Sequence, residues 1–268
     1  MLSKWLACSN RDPCQYSQFK VVDVSPKAEI SEEIHSHLSN LLISEIFEPS
    51  YLAEMSKRLG WKKVTHDIIS TKIPKTDKIK KGAFGETLIN AILEEFHNYH
   101  VPVKKLRYLI KSDISPPGTD SVAFKVNDRG SIDEVCFVES KLRAKYHYKN
   151  KDVGLEGYSQ LKINYESRSY DILNFIAERL YERKDPFFDP FRSYMSERDN
   201  DDDKDTFKLS LCWDSSIWDE SVLKNLDDIE IEIPKFNIHV ILITNLGRVI
   251  EEVFACLGAN VEVSEDDD

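Results

Sequence analysis

Three acids and one lysine carry the first chemical signal in this chain. Glu139 and Lys141 stand two apart in Val138-Glu139-Ser140-Lys141-Leu142. Asp120 precedes them in Pro117-Gly118-Thr119-Asp120, and Glu86 precedes both in Gly82-Ala83-Phe84-Gly85-Glu86. Two carboxylates a few ångströms apart repel unless a cation lies between them. Their hard oxygens suit Mg2+ or Mn2+. A lysine beside such a pair can orient an attacking water and offset negative charge. The set is a plausible device for hydrolysing a phosphodiester. Glu-x-Lys alone also occurs by chance as a solvated pair on exposed strands, so the positioning elements carry the decision.

Residues 119–126 and 135–141 are strand-like runs around the turn composition Asn127-Asp128-Arg129-Gly130-Ser131. Side chains alternate along a strand. Phe137, Glu139 and Lys141 therefore share one face, and Cys136, Val138, Ser140 and Leu142 the other. A hairpin centred between Arg129 and Gly130 sets Asp120 directly opposite Glu139, and paired residues point to the same side. The hairpin alone thus gathers Asp120, Glu139 and Lys141.

Residues 76–99 are the strongest helix. Phe84, Leu88, Ile92 and Phe96 form a stripe that Ile89 and Leu93 widen. Gly82 and Gly85 cost helix propensity, which points to close approach of another backbone. Glu86 shares a side with Ile89, Asn90 and Leu93, so part of that side should be buried. A carboxylate there needs a partner or a metal; the plainer reading is a surface acid near the helix start.

The remaining pattern is mixed. Residues 16–24 suggest a strand. Residues 31–47 suggest a helix capped by Ser31, and residues 51–59 another closed by Gly60. His35 and His37 are two apart and point away from each other on a helix, which argues against a shared metal. Residues 104–110 read as a strand, and 115–118 as a turn. Residues 153–165 and 170–181 read as two helices, and 186–195 as a linker or short helix. Gln160 and Tyr165 read as ordinary surface and core residues. Residues 207–213 and 236–244 read as strands, with 238–243 buried on both faces. Residues 246–257 form a last helix stopped by Gly258.

The net charge of −11 is the wrong sign for an acid-binding surface, but it is unevenly placed. Acidic residues at 199–205 and 265–268 look like solvated loop and tail. Lysines and arginines crowd the candidate site, among them Lys80, Lys81, Lys104, Lys105, Arg107, Arg143 and Lys145. A local positive field is enough to hold a phosphate backbone; a merely soluble lysine-rich face has the same composition. Five scattered cysteines with no Cys-x-x-Cys pair give no support to zinc binding or a disulfide framework. Cys136, Cys212 and Cys256 read as small core residues. No run approaches the ~18 apolar residues of a membrane span, and no secretory signal is evident. The expectation is a cytoplasmic protein without a membrane.

The order of helix with Glu86, hairpin with Asp120 and Glu139-Ser140-Lys141, then helices, resembles the PD-(D/E)xK nuclease superfamily. The Gly82–Glu86, Pro117–Asp120 and Val138–Leu142 segments are more specifically similar to HamA, the effector family of the Hachiman anti-phage system. The resemblance implies an α/β fold, a mixed central sheet flanked by helices, preceded by an N-terminal mixed helical extension. It divides the chain into that extension, 1–75, and a nuclease-like domain, 76–268, with an acidic loop around 199–205 and a disordered tail at 264–268. Asp120 and Glu139 would bind Mg2+, with Mn2+ as substitute, helped by the Ser140 carbonyl. Lys141 would position the attacking water, and Glu86 would add an acid beside the metal. Lys80, Lys81, Arg143 and Lys145 would hold the nucleic-acid backbone. The partner implied is the superfamily 2 helicase HamB, which would restrain DNA degradation until released. Related recombination nucleases carry Gln and Tyr four residues apart after the lysine; Gln160 and Tyr165 are five apart, so that motif is not carried over. Rival expectations are a site-specific restriction-type endonuclease, a catalytically inactive nuclease-fold binding module, and an RNase.

Overall fold

A computed structural model describes residues 1–108, 118–198 and 202–259. The chain forms a mixed α/β structure around a six-stranded sheet of order β1-β2-β6-β5-β4-β3. The strands are β1 (Leu6–Asn10), β2 (Lys20–Pro26), β3 (Ser121–Val126), β4 (Ile132–Arg143), β5 (Asp205–Asp214) and β6 (Phe236–Ile243). β2, β6, β5 and β4 run parallel, and the edges β1 and β3 are antiparallel to their neighbours. Parallel strands require both faces covered. The entirely buried β5 and the apolar run of β6 meet that requirement.

One face carries α1 (Leu2–Trp5), α2 (Glu32–Ile46), α6 (Asp77–His97) and α10 (Leu246–Ala259), packed over Cys136, Val138 and Leu142 of β4. Between α2 and α6 lie α3 (Pro49–Leu59), α4 (Trp61–Val64), a π-helical turn over Thr65–Ile69 and α5 (Ser70–Lys72). The other face carries α7 (Val153–Glu182), α8 (Phe188–Glu197) and α9 (Ser221–Asp227), packed over Phe137, Phe207 and Leu209. The alternation expected along β4 thus sorts its side chains between the two cores. Ser31 caps α2 by accepting from the Ile34 amide, and Gly60 ends α3 at φ +77°.

Five local expectations need correction. Of residues 104–110, the described 104–108 are not a strand: Lys105–Tyr108 form a 3-10 turn, and 109–110 lie outside the described residues. Here Arg107 bonds the Ser44 carbonyl, while Lys105 reaches the Gly118 and Thr119 carbonyls, so these side chains turn rather than alternate. The two helices expected at 153–165 and 170–181 are one α7 of 30 residues. No glycine or proline interrupts residues 158–182, and Ser169 is covered by Arg198. α10 continues through Gly258 to Ala259. Asp205 is not in a solvated loop; it is fully buried at the start of β5, held by Arg198 Nε at 2.9 Å and by the Tyr194 hydroxyl. A buried charge persists only when paired in this way. Cys256 is half-buried, whereas Cys136 and Cys212 lie in the core. Residues 115–117 and the acidic tail lie outside the described residues. Among the described residues, no helix is long and apolar enough to cross a membrane.

Candidate active site

The β3–β4 hairpin has the register that the turn composition predicts. Ser121 faces Val138, Val122 faces Phe137 and Lys125 faces Glu134, with an irregularity only at Val126. One step further along the same register, Asp120 meets Glu139. Asp120 stands just before β3 and is half-buried. Its Oδ2 accepts from the Ser140 amide at 2.8 Å. The neighbouring Thr119 hydroxyl donates to the Val138 carbonyl at 2.6 Å, extending the strand pairing by a side chain. Lys105 Nζ donates to the Gly118 and Thr119 carbonyls, each at 3.0 Å. The backbone leading to Asp120 is therefore held from two sides.

Glu139 and Lys141 project from β4 toward α7. Lys141 Nζ lies 2.6 Å from Glu139 Oε1. A Cβ on Gly157 of α7 would come within 3.4 Å of Lys141 Cγ and 2.5 Å of Leu209 Cδ1. The glycine lets the lysine stem pass beneath the helix. Glu139 is buried and its pKa is raised to about 7. Burial is the main cause, and the Asp120 charge adds to it. Lys141 and Lys105 oppose the shift.

Glu86 approaches from α6 on the opposite face. Residues 83–93 of α6 are all buried, because the helix lies between the sheet and α2. Burial of Glu86 thus exceeds the partial burial that the helical stripe predicts. Gly85 allows this approach: a Cβ there would stand 3.1 Å from Ser140 Oγ and 3.6 Å from the Leu142 side chain. The close neighbour is therefore side chain rather than the backbone expected. Gly82 faces open space, so close packing does not explain it. Burial first, then the Asp120 and Glu45 charges, hold the Glu86 pKa well above the ordinary carboxylate range; Lys105 and Lys104 oppose them. Behind Glu86, Asn90 donates to Glu45 at 3.2 Å, and Lys104 pairs with Glu45 at 3.0 Å.

The oxygen atoms at this site fit a hard divalent cation by one specific criterion. Glu86 Oε1 and Glu139 Oε2 are buried with no hydrogen-bond partner among the described residues. An unpaired buried carboxylate oxygen is costly, and a cation removes that cost. As the side chains stand, no three His, Cys, Asp or Glu groups among the described residues form a metal cluster. The oxygens that could hold such an ion are those of Asp120 and Glu139, with the Ser140 carbonyl and Glu86 as further candidates. A cavity of about 340 Å³ opens beside Asp120 between the start of β3 and α7, lined by Lys105, Arg168, Ile172 and Phe175 among others.

The basic residues named from sequence have separate settings. Lys145 is exposed just beyond β4. Arg143 bonds the Leu142 carbonyl and stands 3.9 Å from Glu156. Lys80 lies over the Phe254 ring, and Lys81 pairs with Asp77 at 3.3 Å. Because Gly85 meets Ser140 and Leu142, the start of α6 lies toward the end of β4 from which Lys145 emerges. Gln160 is exposed and donates to Asn164, while Tyr165 packs on Phe137 and Phe207. His35 stands 2.9 Å from Glu252. Sequence reasoning grouped Lys105 only with the surrounding basic residues. Its signal was the position of a lysine shortly before Gly-Thr-Asp, but its bonds to those carbonyls require the tertiary fold.

Comparison with known proteins gives one family. The HamA family model matches residues 1–257. No curated protein matches this chain.

Proposed function

The chain belongs to the HamA family of Hachiman defence, and we propose that it is a metal-dependent DNA nuclease, restrained by a helicase partner and cutting with little sequence preference when released. The observation that supports the reading most is the meeting of Asp120, Glu139 and Lys141 next to carboxylate oxygens with no other partner. That combination is expensive for a purely structural core. It makes chemical sense where a cation and a phosphate complete it.

Asp120 and Glu139 would hold the metal, Mg2+ or Mn2+, with the Ser140 carbonyl and Glu86 beside them. When bound, such an ion supplies Lewis-acid polarisation of the phosphodiester. Lys141 holds the attacking water on the Glu139 side and offsets charge that develops on the phosphoryl oxygens. Its pairing with Glu139 fixes the ammonium before substrate arrives. Lys105 keeps the Asp120 backbone in place and moderates the repulsion between the acids. Lys80, Lys81, Arg143 and Lys145 give the backbone of the nucleic acid a positive approach despite the net charge of −11.

The test is cleavage of supercoiled plasmid by the purified chain, with and without its partner helicase, in Mg2+, Mn2+ or EDTA. The expected result is metal-dependent degradation without a fixed fragment pattern. Glu139→Ala and Lys141→Ala should each reduce it roughly a hundredfold or more, with circular dichroism and partner binding retained. Fixed fragments would favour a restriction-type enzyme, and faster loss of RNA an RNase. No cutting under any of these conditions would overturn the nuclease reading in favour of a binding module.

A further inference from the structure

The segment between β4 and α7 carries exposed aromatic rings that the nuclease chemistry does not use. Residues 144–151 contain Lys145, Lys149 and Lys151, and no acid, in a chain of strongly negative charge. Among these cations stand Tyr146, His147 and Tyr148. Tyr146 is 76% exposed and Tyr148 67%. No ring or cation covers Tyr146 among the described residues, and it is the most exposed large apolar side chain among them.

The loop is also built, not merely exposed. Asn150 is buried, and its side-chain amide donates to the Lys145 carbonyl at 3.3 Å. The Asn150 amide donates to the His147 carbonyl at 2.9 Å, and the Lys149 amide to His147 Nδ1 at 3.2 Å. The His147 ring leans on Tyr148 with centroids 4.5 Å apart, and Lys149 lies over the same ring. These contacts fix the loop backbone and the Tyr148 ring and leave the Tyr146 ring exposed. Two exposed rings carried on a hydrogen-bonded loop leave apolar area for something to cover.

We propose that Tyr146 and Tyr148, carried on this hydrogen-bonded loop, form a base-stacking platform for single-stranded or unpaired DNA beside the cutting site. Base–aromatic stacking tolerates any sequence, because every base has a π-face. The flanking lysines follow the phosphates. Tyr146 is five residues beyond Lys141, so the two are at most about 18 Å apart along extended chain. A strand stacked on Tyr146 therefore lies within reach of Lys141. The charge pattern favours nucleic acid over a protein partner, since three exposed lysines without an acid among residues 144–151 match a polyanion. The purpose of the platform rests on the nuclease reading, but its existence is tested by binding alone.

The experiment measures fluorescence anisotropy of the full chain in EDTA at low salt, with two labelled probes. One is a single-stranded oligothymidylate, and the other is the same length of backbone carrying abasic sites. The wild type should prefer the base-bearing strand several-fold. Tyr146→Ala with Tyr148→Ala should weaken oligothymidylate binding roughly tenfold and leave abasic binding unchanged, which also reports a folded loop. Tyr146→Phe with Tyr148→Phe should keep the preference. Equal binding of both probes by the wild type, no binding at all, or an alanine variant that binds like wild type would overturn the proposal. Alanine substitution that spares DNA binding but releases the helicase partner would also overturn it, assigning the rings to that interface. Base preference without cutting in Mg2+ would remove the nuclease reading alone. Cutting without base preference would remove the platform alone.

Discussion

Asp120 Oδ2 is tied to the Ser140 amide at 2.8 Å, so one carboxylate bridges the start of β3 and the strand that carries Glu139 and Lys141. An asparagine can accept the same bond without the charge. Asp120→Asn should therefore fold normally and lose cutting by roughly a hundredfold or more. It should also lower the Glu139 pKa, because the Asp120 charge is one cause of its rise. Plasmid cleavage and carboxyl-carbon NMR titration read the two effects. An unchanged titration of Glu139 would show that the acids do not interact.

The Glu139 carboxyl titrates at about 7 in the folded chain, against an ordinary value of 4.5. The folded form thus keeps a proton that the unfolded form has lost between those values. This contribution to stability is fully present below about 4.5, is lost as pH rises toward 7, and is level above. Its size is on the order of 3 kcal/mol. Thermal melts in EDTA from pH 5 to 8 should show wild type losing more stability than Glu139→Gln. Glu86 is shifted in the same direction, so the variant keeps part of the slope and Glu86→Gln with Glu139→Gln should flatten it further. Parallel curves for wild type and both variants would contradict the assignment. Metal-dependent cutting should rise with pH through the same range.

Lys105 touches no candidate metal ligand directly in the structure, yet it holds the two carbonyls before Asp120. It also opposes the upward shift of Glu86 and Glu139. Lys105→Ala should weaken metal-dependent cutting roughly tenfold to a hundredfold and move its pH midpoint upward. Lys105→Arg should restore the midpoint better than the rate, because charge survives and the short reach to both carbonyls does not. An equal loss at every pH would mean the lysine acts only through folding.

Two glycines offer opposite stability outcomes. Gly82 is inside α6 and faces open space, so Gly82→Ala should stabilise the chain by about 1 kcal/mol from helix propensity. Gly154 in α7 would place a Cβ 2.8 Å from Leu226 Cδ1 and 3.0 Å from the Val222 carbonyl. Backbone cannot yield as a side chain does, so Gly154→Ala should cost about 1–3 kcal/mol. Urea denaturation of both variants checks the pair, and equal shifts would refute the packing argument.

The hairpin was legible because its two determinants are local. Apolar alternation sets the faces of β4, and the Asn127–Ser131 turn sets the register that carries Asp120 to Glu139. α6 was legible for the same reason, through its apolar stripe. What escaped reading depends on partners contributed by other elements. Asp205 looked like part of an acidic loop because nothing local shows that Arg198 and Tyr194 fold over it. Residues 104–108 looked extended because alternating lysines and hydrophobes mimic a strand. Their side chains instead bond α2 and the Gly118–Thr119 carbonyls. The burial of Glu86 on every side reflects α2, which the helix pattern of residues 77–97 could not include.

The parallel pairing of β2 with β6, Val21 opposite Ile238, has a kinetic corollary. During synthesis the first strands exist long before their neighbour, and β5 keeps an open edge until β6 arrives. Loop closure over such a distance is slow. The sheet behind the cutting centre is therefore completed late, so a ribosome-bound fragment that already contains Glu139 and Lys141 should lack a rigid platform for them. For a DNA nuclease of the kind proposed, maturation delayed by topology would act as an intrinsic safeguard before any inhibitor has bound.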